Sequence, residues 1–237
     1  MTKRTVLLAV AALGLWLAGA APSQASTVTQ PGPGTGLTYE SQVVMGDLDL
    51  AHYHGAVGAK SWAEPGNPVG AKGWTHTSSW TALDLTGLSG STILTVTLER
   101  GDGPPNLATN NLFPAFSIFS GWETVNSDAT NHTWNNTGNI SWATNLTYID
   151  HVANIGGPNG TDSGTGLDTV FKQYVLAPGL YTLNFGGNPS FDLGQTGFHD
   201  FSGTLTTSPV PVPAAAILFG SGLIGLAGAL RKKFGRA

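Results

Sequence analysis

The clearest structural signal in this sequence is the segment Val170-Phe171-Lys172-Gln173-Tyr174-Val175-Leu176-Ala177-Pro178-Gly179-Leu180-Tyr181-Thr182-Leu183-Asn184-Phe185. Its first half predicts a strand that carries Val170, Lys172, Tyr174 and Leu176. Ala177-Pro178-Gly179 is a typical turn sequence, and a second strand returns from it and ends at Gly186-Gly187. The segment therefore predicts a β-hairpin.

Further short strand patterns lie toward both ends of the chain, and no long apolar pattern of helical period separates them. In the clearest of these, Leu94, Val96 and Leu98 alternate with polar residues, as in a half-buried strand. The other predicted strands are Trp80 to Leu85 before Gly87, Phe116 to Phe119 before Gly121, and Phe198 to Thr207 with Gly203 as a bulge. These patterns predict an all-β domain over residues 39–208, an antiparallel β-sandwich that is jelly-roll-like. Residues 26–38, rich in Gly, Pro and Thr, predict a linker before it.

The N-terminus has the pattern of a secretory signal peptide. A basic start precedes an apolar run from Val6 to Ala21, and Pro22-Ser23-Gln24-Ala25 follows the run. This order predicts a signal peptide over residues 1–25 that signal peptidase cuts between Ala25 and Ser26. The alternative is an uncleaved membrane anchor.

The C-terminal tail, residues 209–237, has three parts. Pro209-Val210-Pro211-Val212-Pro213 begins it, an uncharged apolar run covers residues 214–230, and a basic end covers residues 231–236. At 1.5 Å per residue the apolar run makes a helix of about 25 Å, close to the roughly 30 Å hydrocarbon core of a bilayer. We therefore expect a transmembrane helix whose basic end stays cytoplasmic, so that the preceding domain lies outside.

The tail resembles the PEP-CTERM sorting signal of Gram-negative bacteria, in the form that begins Val-Pro-x-Pro-Ala. The resemblance is carried by Val210-Pro211-Val212-Pro213-Ala214-Ala215-Ala216, by Leu218-Phe219-Gly220-Ser221-Gly222-Leu223-Ile224-Gly225 and by Arg231-Lys232-Lys233. It implies recognition by an exosortase, which cuts near the proline motif and passes its substrate to the cell surface or the extracellular polymer matrix. Val212 stands where the name-giving motif has glutamate, which leaves the cut site open among Val210, Pro211, Val212 and Pro213. The alternative is a plain C-terminal membrane anchor.

Charge and cysteine content exclude several classes of function. The region between the two ends carries four basic residues against all 14 acidic ones, so its net charge is −10. Such a surface repels nucleic acid and anionic lipid headgroups, which excludes both as partners of the domain. The chain has no cysteine, which excludes thiol catalysis and cysteine-ligated zinc.

Two groups of residues are candidate metal sites. His52-Tyr53-His54 places two imidazoles on one face of a strand, a spacing that suits zinc, and Asp47, Asp49 and His76 are candidates to complete the shell. The glycine-rich residues 156–166, with Asp162 and Asp168, suit calcium. The competing interpretations are a solvated strand face for the histidines and a surface loop for the aspartates. We therefore expect no cofactor, with zinc and calcium as the alternatives.

Trp134 and Trp142 stand in a polar stretch rich in Asn and Thr, so we expect them to be more exposed than the other tryptophans. Tryptophan rings combine a large apolar face with one polar N–H group, which suits stacking on sugars. This predicts extracellular polysaccharide as an alternative partner. The competing interpretation is that both rings belong to the core of the sandwich.

No catalytic arrangement is evident, because the sequence has neither a Gly-x-Ser-x-Gly elbow nor a P-loop. We therefore expect a secreted protein that is not an enzyme. It is exported through the inner membrane, held briefly by its C-terminal helix, and delivered to the cell surface or the biofilm matrix in a structural or adhesive role. The alternatives are a carbohydrate-binding module that uses exposed tryptophan, and a metal-dependent hydrolase built on His52, His54 and His76.

Overall fold

The computed structural model describes residues 26–29, 39–58, 78–101, 112–124, 138–140, 142–152, 167–188 and 198–211. The predicted signal peptide, residues 1–25, and the predicted transmembrane helix, residues 214–230, lie outside these ranges. Within them, no helix has the length and apolar character needed to cross a membrane.

The described residues form ten β-strands in two sheets. The strands are β1 (Thr27–Thr29), β2 (Ser41–Val44), β3 (Leu50–Gly58), β4 (Ser79–Asp84), β5 (Thr92–Arg100), β6 (Phe113–Ser120), β7 (Thr147–Val152), β8 (Thr169–Leu176), β9 (Leu180–Asn188) and β10 (Phe198–Pro209). The six-stranded sheet has the order β1-β2-β4-β9-β6-β7, and the four-stranded sheet has the order β3-β10-β5-β8. The prediction of an all-β domain is confirmed.

Strand pairing is antiparallel throughout the described residues except between β2 and β4, which pair parallel. The predicted antiparallel arrangement therefore holds for every described pair except this one. The cause is the path of the chain, since β3 crosses to the four-stranded sheet before β4 returns beside β2. The chain changes sheet at each connection from β2 to β6 and again at each connection from β7 to β10. The jelly-roll-like character stays a prediction.

The predicted hairpin of β8 and β9 is wrong, although both strands exist. β8 pairs with β5, whereas β9 lies between β4 and β6 in the other sheet. The segment Ala177-Pro178-Gly179 therefore carries the chain from one sheet to the other. Two hydrogen bonds hold it, from the Leu85 amide to the Gly179 carbonyl at 2.9 Å and from the Tyr181 hydroxyl to the Ala177 carbonyl at 2.8 Å. Both strands contribute to the main core, which they reach from opposite sides.

The main core is the set of buried apolar side chains between the two sheets. The six-stranded sheet contributes large residues such as Leu83, Phe116, Leu183 and Phe185, and the four-stranded sheet contributes Tyr53, Leu94, Leu98 and Phe201. The predicted alternation of β5 is confirmed, because its residues alternate between buried and half-buried from Thr92 to Leu98.

The predicted linker, residues 26–38, begins with β1 and is therefore wrong for residues 27–29. β1 pairs antiparallel with β2, and Val28 packs against the main core. The sequence Thr27-Val28-Thr29 is consistent with this short edge strand, because the apolar Val28 is half-buried and the two threonines are exposed. The folded domain starts at about Ser26.

Gly203 is not the predicted bulge. Its pairing is continuous, with Tyr53 of β3 on one side and Leu98 of β5 on the other. Glycine is needed there for space, since a Cβ atom would lie 3.1 Å from Cζ of the Tyr53 ring. The register shift occurs instead between β6 and β7, where Tyr148 is opposite Phe119 but Asp150 is opposite Ile118.

A second apolar group, the outer cluster, covers the outer face of the six-stranded sheet. Its buried members are Tyr39, Trp80, Ala82, Phe119, Ile140 and Leu146, and half-buried Trp122, Trp142, Ala143 and Tyr148 pack against them. The cluster explains why β4 is buried on both faces from Ser79 to Leu83. A strand covered on both faces shows no alternation of apolar and polar residues.

Candidate functional site

The two histidines of β3 lie on one exposed face of the four-stranded sheet. Tyr53 between them points inward, and its hydroxyl is 3.3 Å from the Thr81 hydroxyl. The rings of His52 and His54 are perpendicular, with centroids 5.0 Å apart. His52 Nδ1 is hydrogen-bonded to the Thr204 hydroxyl at 3.0 Å, and its Nε2 is 3.4 Å from the Ser202 hydroxyl. The two imidazoles are thus close enough to share one metal ion.

The residues expected to complete this zinc shell do not join the pair within the described part of the chain. Asp47 accepts a hydrogen bond from the Ser89 amide at 3.2 Å, and the Asp49 carboxylate is occupied by backbone amides. His76 lies outside the described residues. Among the described residues no group of three or more His, Asp or Glu side chains is placed to hold a metal.

Of the residues predicted to bind calcium, only Asp168 lies in the described part of the chain. Asp162 and residues 156–166 lie outside the described residues. The Asp168 carboxylate forms an ion pair with Arg100 at 2.9 Å, and its backbone carbonyl accepts a hydrogen bond from the Arg100 amide at 2.7 Å. Asp168 therefore ties the start of β8 to the end of β5.

Of the two tryptophans proposed for sugar binding, only Trp142 lies in the described part of the chain. It is half-buried and packs against the outer cluster. Only part of its ring is open to a sugar, so polysaccharide binding stays a prediction. Trp134 lies outside the described residues.

The two ends of the described domain meet at Asp49. The Ser26 amide donates to Asp49 Oδ1 at 2.9 Å. The Asp49 amide donates to the Thr207 hydroxyl at 2.8 Å, and the Thr207 amide donates to the Asp49 carbonyl at 3.0 Å. Of the predicted processing residues, Ser26, Val210 and Pro211 are described, whereas Ala25, Val212 and Pro213 are not.

A buried carboxylate, Glu123, holds the loops that carry the outer cluster, and no sequence pattern predicted this role. Its oxygens accept hydrogen bonds from the backbone amides of Thr124, Thr144 and Asn145 at 2.8, 2.8 and 2.9 Å. Side chains of Thr144 and Asn145 add contacts at 3.3 and 3.4 Å. Every one of these partners is a donor, so the group anchors backbone and is not arranged as a metal ligand.

β7 carries a second group of polar side chains that sequence patterns did not predict. Asp150 forms an ion pair with Lys172 of β8, and the Tyr148 hydroxyl is hydrogen-bonded to His151 Nδ1. Burial lowers the pKa of His151, with the Asp150 charge acting in the opposite sense and the Lys172 charge reinforcing it. The bulge after Tyr148 places Tyr148 and His151 beside each other, which simple alternation would not allow.

Comparison with known proteins gives no family assignment. No protein-family model matches the chain, and no curated protein matches it. Among solved structures, the chain is similar to CorA, a surface-associated copper-binding protein of Methylomicrobium album BG8, with 13% identity, a TM-score of 0.41 and coverage of 70% of this chain and 98% of that one.

Two further solved structures are similar over most of their length. The secreted protein MopE of Methylococcus capsulatus, in which an oxidised tryptophan facilitates copper binding, has 15% identity, a TM-score of 0.40 and coverage of 78% and 94%. The K1 cleaved adhesin domain of Lys-gingipain from Porphyromonas gingivalis W83 has 13% identity, a TM-score of 0.21 and coverage of 78% and 91%. All three TM-scores are below 0.5, so we infer neither a fold family nor a function from these likenesses.

Proposed function

We propose that this chain is an exported protein that an exosortase sorts to the cell surface or extracellular matrix of a Gram-negative bacterium. In this proposal signal peptidase removes residues 1–25, the C-terminal helix holds the protein briefly in the inner membrane, and cleavage at the proline motif releases it. The β-sandwich then has a structural or adhesive role outside the cell.

The observation that carries the proposal is the position of the proline motif. Pro209 ends β10, and Val210 and Pro211 follow it directly, all three exposed. β10 lies in the middle of the four-stranded sheet, paired with β3 on one side and β5 on the other. Proline fixes its own φ and disfavours the helical region for the preceding residue, so we expect the motif to continue β10 as an extended segment. An extended, exposed segment at the end of a fixed strand is a form that a processing enzyme can bind.

The experiment that tests the proposal is the intact mass of the protein recovered from each fraction of its native host. We expect a chain that begins at Ser26 and ends between Val210 and Pro213, found in the medium or matrix. A chain that runs through Ala237 and occurs only in membranes would contradict exosortase sorting.

A matched pair of variants assigns the cut to the motif. The double variant Pro211→Ala, Pro213→Ala is expected to accumulate uncut in the membrane. Pro178→Ala changes an exposed proline in the connection between β8 and β9 and is expected to be processed normally. Equal processing of both variants would contradict recognition of the proline motif.

A second candidate function, binding of a divalent metal, is favoured by the His52 and His54 pair. Two imidazoles on one exposed face, 5.0 Å apart between centroids, can supply two of the four ligands of a zinc ion, with water in the remaining positions. Because Thr204 and Ser202 contact His52, a metal would replace one of these hydrogen bonds.

Calorimetric titration with zinc tests this second candidate. We expect binding heat that is lost in His52→Asn and in His54→Asn and kept in His151→Asn, which changes a histidine on β7. The hydrolase alternative needs His76 as a third ligand. Zinc binding that is kept in His76→Asn would favour the site of two histidines, and binding that is lost there would favour the hydrolase. No heat at micromolar zinc would exclude both.

A further inference from the structure

Asp49 is a buried carboxylate without a described counter-charge. The residue is only 6% exposed. Its Oδ1 accepts hydrogen bonds from the amides of Ser26 and Leu50 at 2.9 and 2.8 Å, and its Oδ2 accepts one from the Gly46 amide at 3.1 Å. The ion pairs found among the described residues use Asp168 and Asp150, not Asp49. These amides stabilise the carboxylate but leave its charge unbalanced among the described residues, so a charged donor in place of one neutral amide would be favoured there.

Ser26 is fixed against this carboxylate by two contacts. Its amide nitrogen donates to Asp49 Oδ1, and its hydroxyl donates to the Leu50 carbonyl. β1 starts at the next residue and pairs with β2, so the position of the Ser26 nitrogen is set by the fold on its C-terminal side. The nitrogen that contacts Asp49 is the one that signal peptidase would release by cutting after Ala25.

We propose that Asp49 is the binding site for the α-ammonium group of Ser26 formed when the signal peptide is removed. This inference rests on the proposed export pathway, because it needs the cut after Ala25. Hydrolysis adds one water to that peptide bond: the C–N bond breaks, Ala25 gains a carboxylate, and the Ser26 nitrogen becomes –NH₃⁺ at neutral pH. The neutral amide beside Asp49 is thereby replaced by a positive charge at the same place.

The charge change strengthens the junction between the two ends of the domain. The bond from the neutral amide already has an ionised acceptor, and the ammonium group adds the attraction between opposite charges, which water screens less at a buried site. Asp49 also holds β10, because its backbone amide and carbonyl are both hydrogen-bonded to Thr207. The Thr207 hydroxyl also donates to the Gly46 carbonyl at 2.7 Å. Removal of the leader therefore stabilises the segment from which the proline motif leaves the domain.

The test compares melting temperatures of the chain from Ser26 to Ala237, in detergent, with a free and with an acetylated Ser26 amine. We expect acetylation to lower the melting temperature by about 2–4 °C at pH 7, the shift that a loss of about 1 kcal/mol gives in a domain of roughly 150–250 residues. The shift should vanish in Asp49→Asn and persist in Asp47→Asn, which changes a neighbouring carboxylate that accepts a hydrogen bond from the Ser89 amide and none from Ser26 among the described residues. Equal melting of the free and acetylated forms, or an equal shift in Asp49→Asn, would overturn the proposal.

A pH series keeps the test decisive if Asp49→Asn does not fold. An α-amine ordinarily loses its proton near pH 8, so the difference between free and acetylated forms should disappear at pH 10. A difference that stays constant from pH 6 to pH 10 would count against the ion pair. The mass of the native protein is a separate result: a start other than Ser26 refutes the cut after Ala25, whereas the melting comparison tests the Asp49 site itself.

Discussion

Lys172 forms an ion pair with Asp150 across the open edge of the sandwich, where the last strand of each sheet lies. Lys172 is on the side of β8 that also carries buried Val170 and Tyr174, and its Nζ lies 5.9 Å from the centre of the Tyr174 ring. The bulge in β7 places Asp150 opposite Ile118 of the main core. At this edge of the sandwich, an ion pair therefore stands where the apolar side chains of the main core end.

Replacing this lysine should cost little at neutral pH and nothing at low pH. The two side chains are 41% and 33% exposed, so we expect Lys172→Met to lower the free energy of unfolding by about 1 kcal/mol or less at pH 7. Burial alone would raise the pKa of Asp150, but the hydrogen bond and charge of Lys172 outweigh it and lower that pKa.

The pH dependence has a defined sign. A carboxyl group whose pKa is lowered in the folded state stabilises that state at pH values above its ordinary pKa, about 3.9. This stabilisation is lost as the pH falls through the lowered pKa. Urea denaturation of the original chain and Lys172→Met should therefore differ at pH 7 and converge near pH 2. Gln173→Met, at the next and outward-facing position, is the control. A difference that is the same at both pH values would contradict the ion pair.

Glu123 is expected to be the most sensitive carboxylate in the described part of the chain. It is fully buried and receives three backbone amide hydrogen bonds from two separate segments. In Glu123→Gln one oxygen becomes an NH₂ group that faces donors, so we expect a loss of about 2–3 kcal/mol in the free energy of unfolding. Urea denaturation measures it.

The matched control for Glu123 is Glu99→Gln, at an exposed position of β5. It should change the free energy of unfolding by less than about 0.5 kcal/mol. Similar losses in both variants would show that the Glu123 hydrogen bonds do not hold the outer cluster in place.

Gly121 should not tolerate a side chain. Its φ is +91°, and a Cβ atom would lie 2.0 Å from the Asn145 carbonyl oxygen. The backbone conformation alone costs an L-residue about 1–2 kcal/mol, and the clash adds to it, so we expect Gly121→Ala to lose more than 2 kcal/mol. Gly87→Ala, in a turn with no atom within 4 Å of the added Cβ, should be nearly neutral. Thermal unfolding of both variants decides, and equal melting temperatures would refute the expectation.

Sequence patterns predicted which side of a strand faces the core, but not which sheet the strand joins. Alternation placed Leu94, Val96 and Leu98 correctly, because one face of β5 is buried and the other is not. The same reasoning failed for β8 and β9, since a short turn between two alternating strands fits a hairpin and a crossover equally well. Partner choice depends on long-range packing around Leu183 and Phe185, which no local pattern contains.

The candidate functional residues were also predictable only in part. Period two placed His52 and His54 on one face, as the structure has them. The roles of Asp49 and Glu123 could not be foreseen, because each depends on backbone amides more than 20 residues away in sequence. A lone acidic residue carries no local sign that distant amides will surround it.

The last prediction concerns His199, which is buried in β10 and whose two ring nitrogens have no hydrogen-bond partner within the described residues. Burial lowers its pKa below the ordinary value of 6.5, and the charge of Asp200 opposes this effect. Because the unfolded chain then binds the proton more readily, stability should fall as pH drops below about 6.5. We expect the free energy of unfolding to decrease less between pH 7.5 and pH 5 in His199→Leu than in the original chain. If His199→Leu follows the original chain at every pH, then His199 does not take up its proton on unfolding.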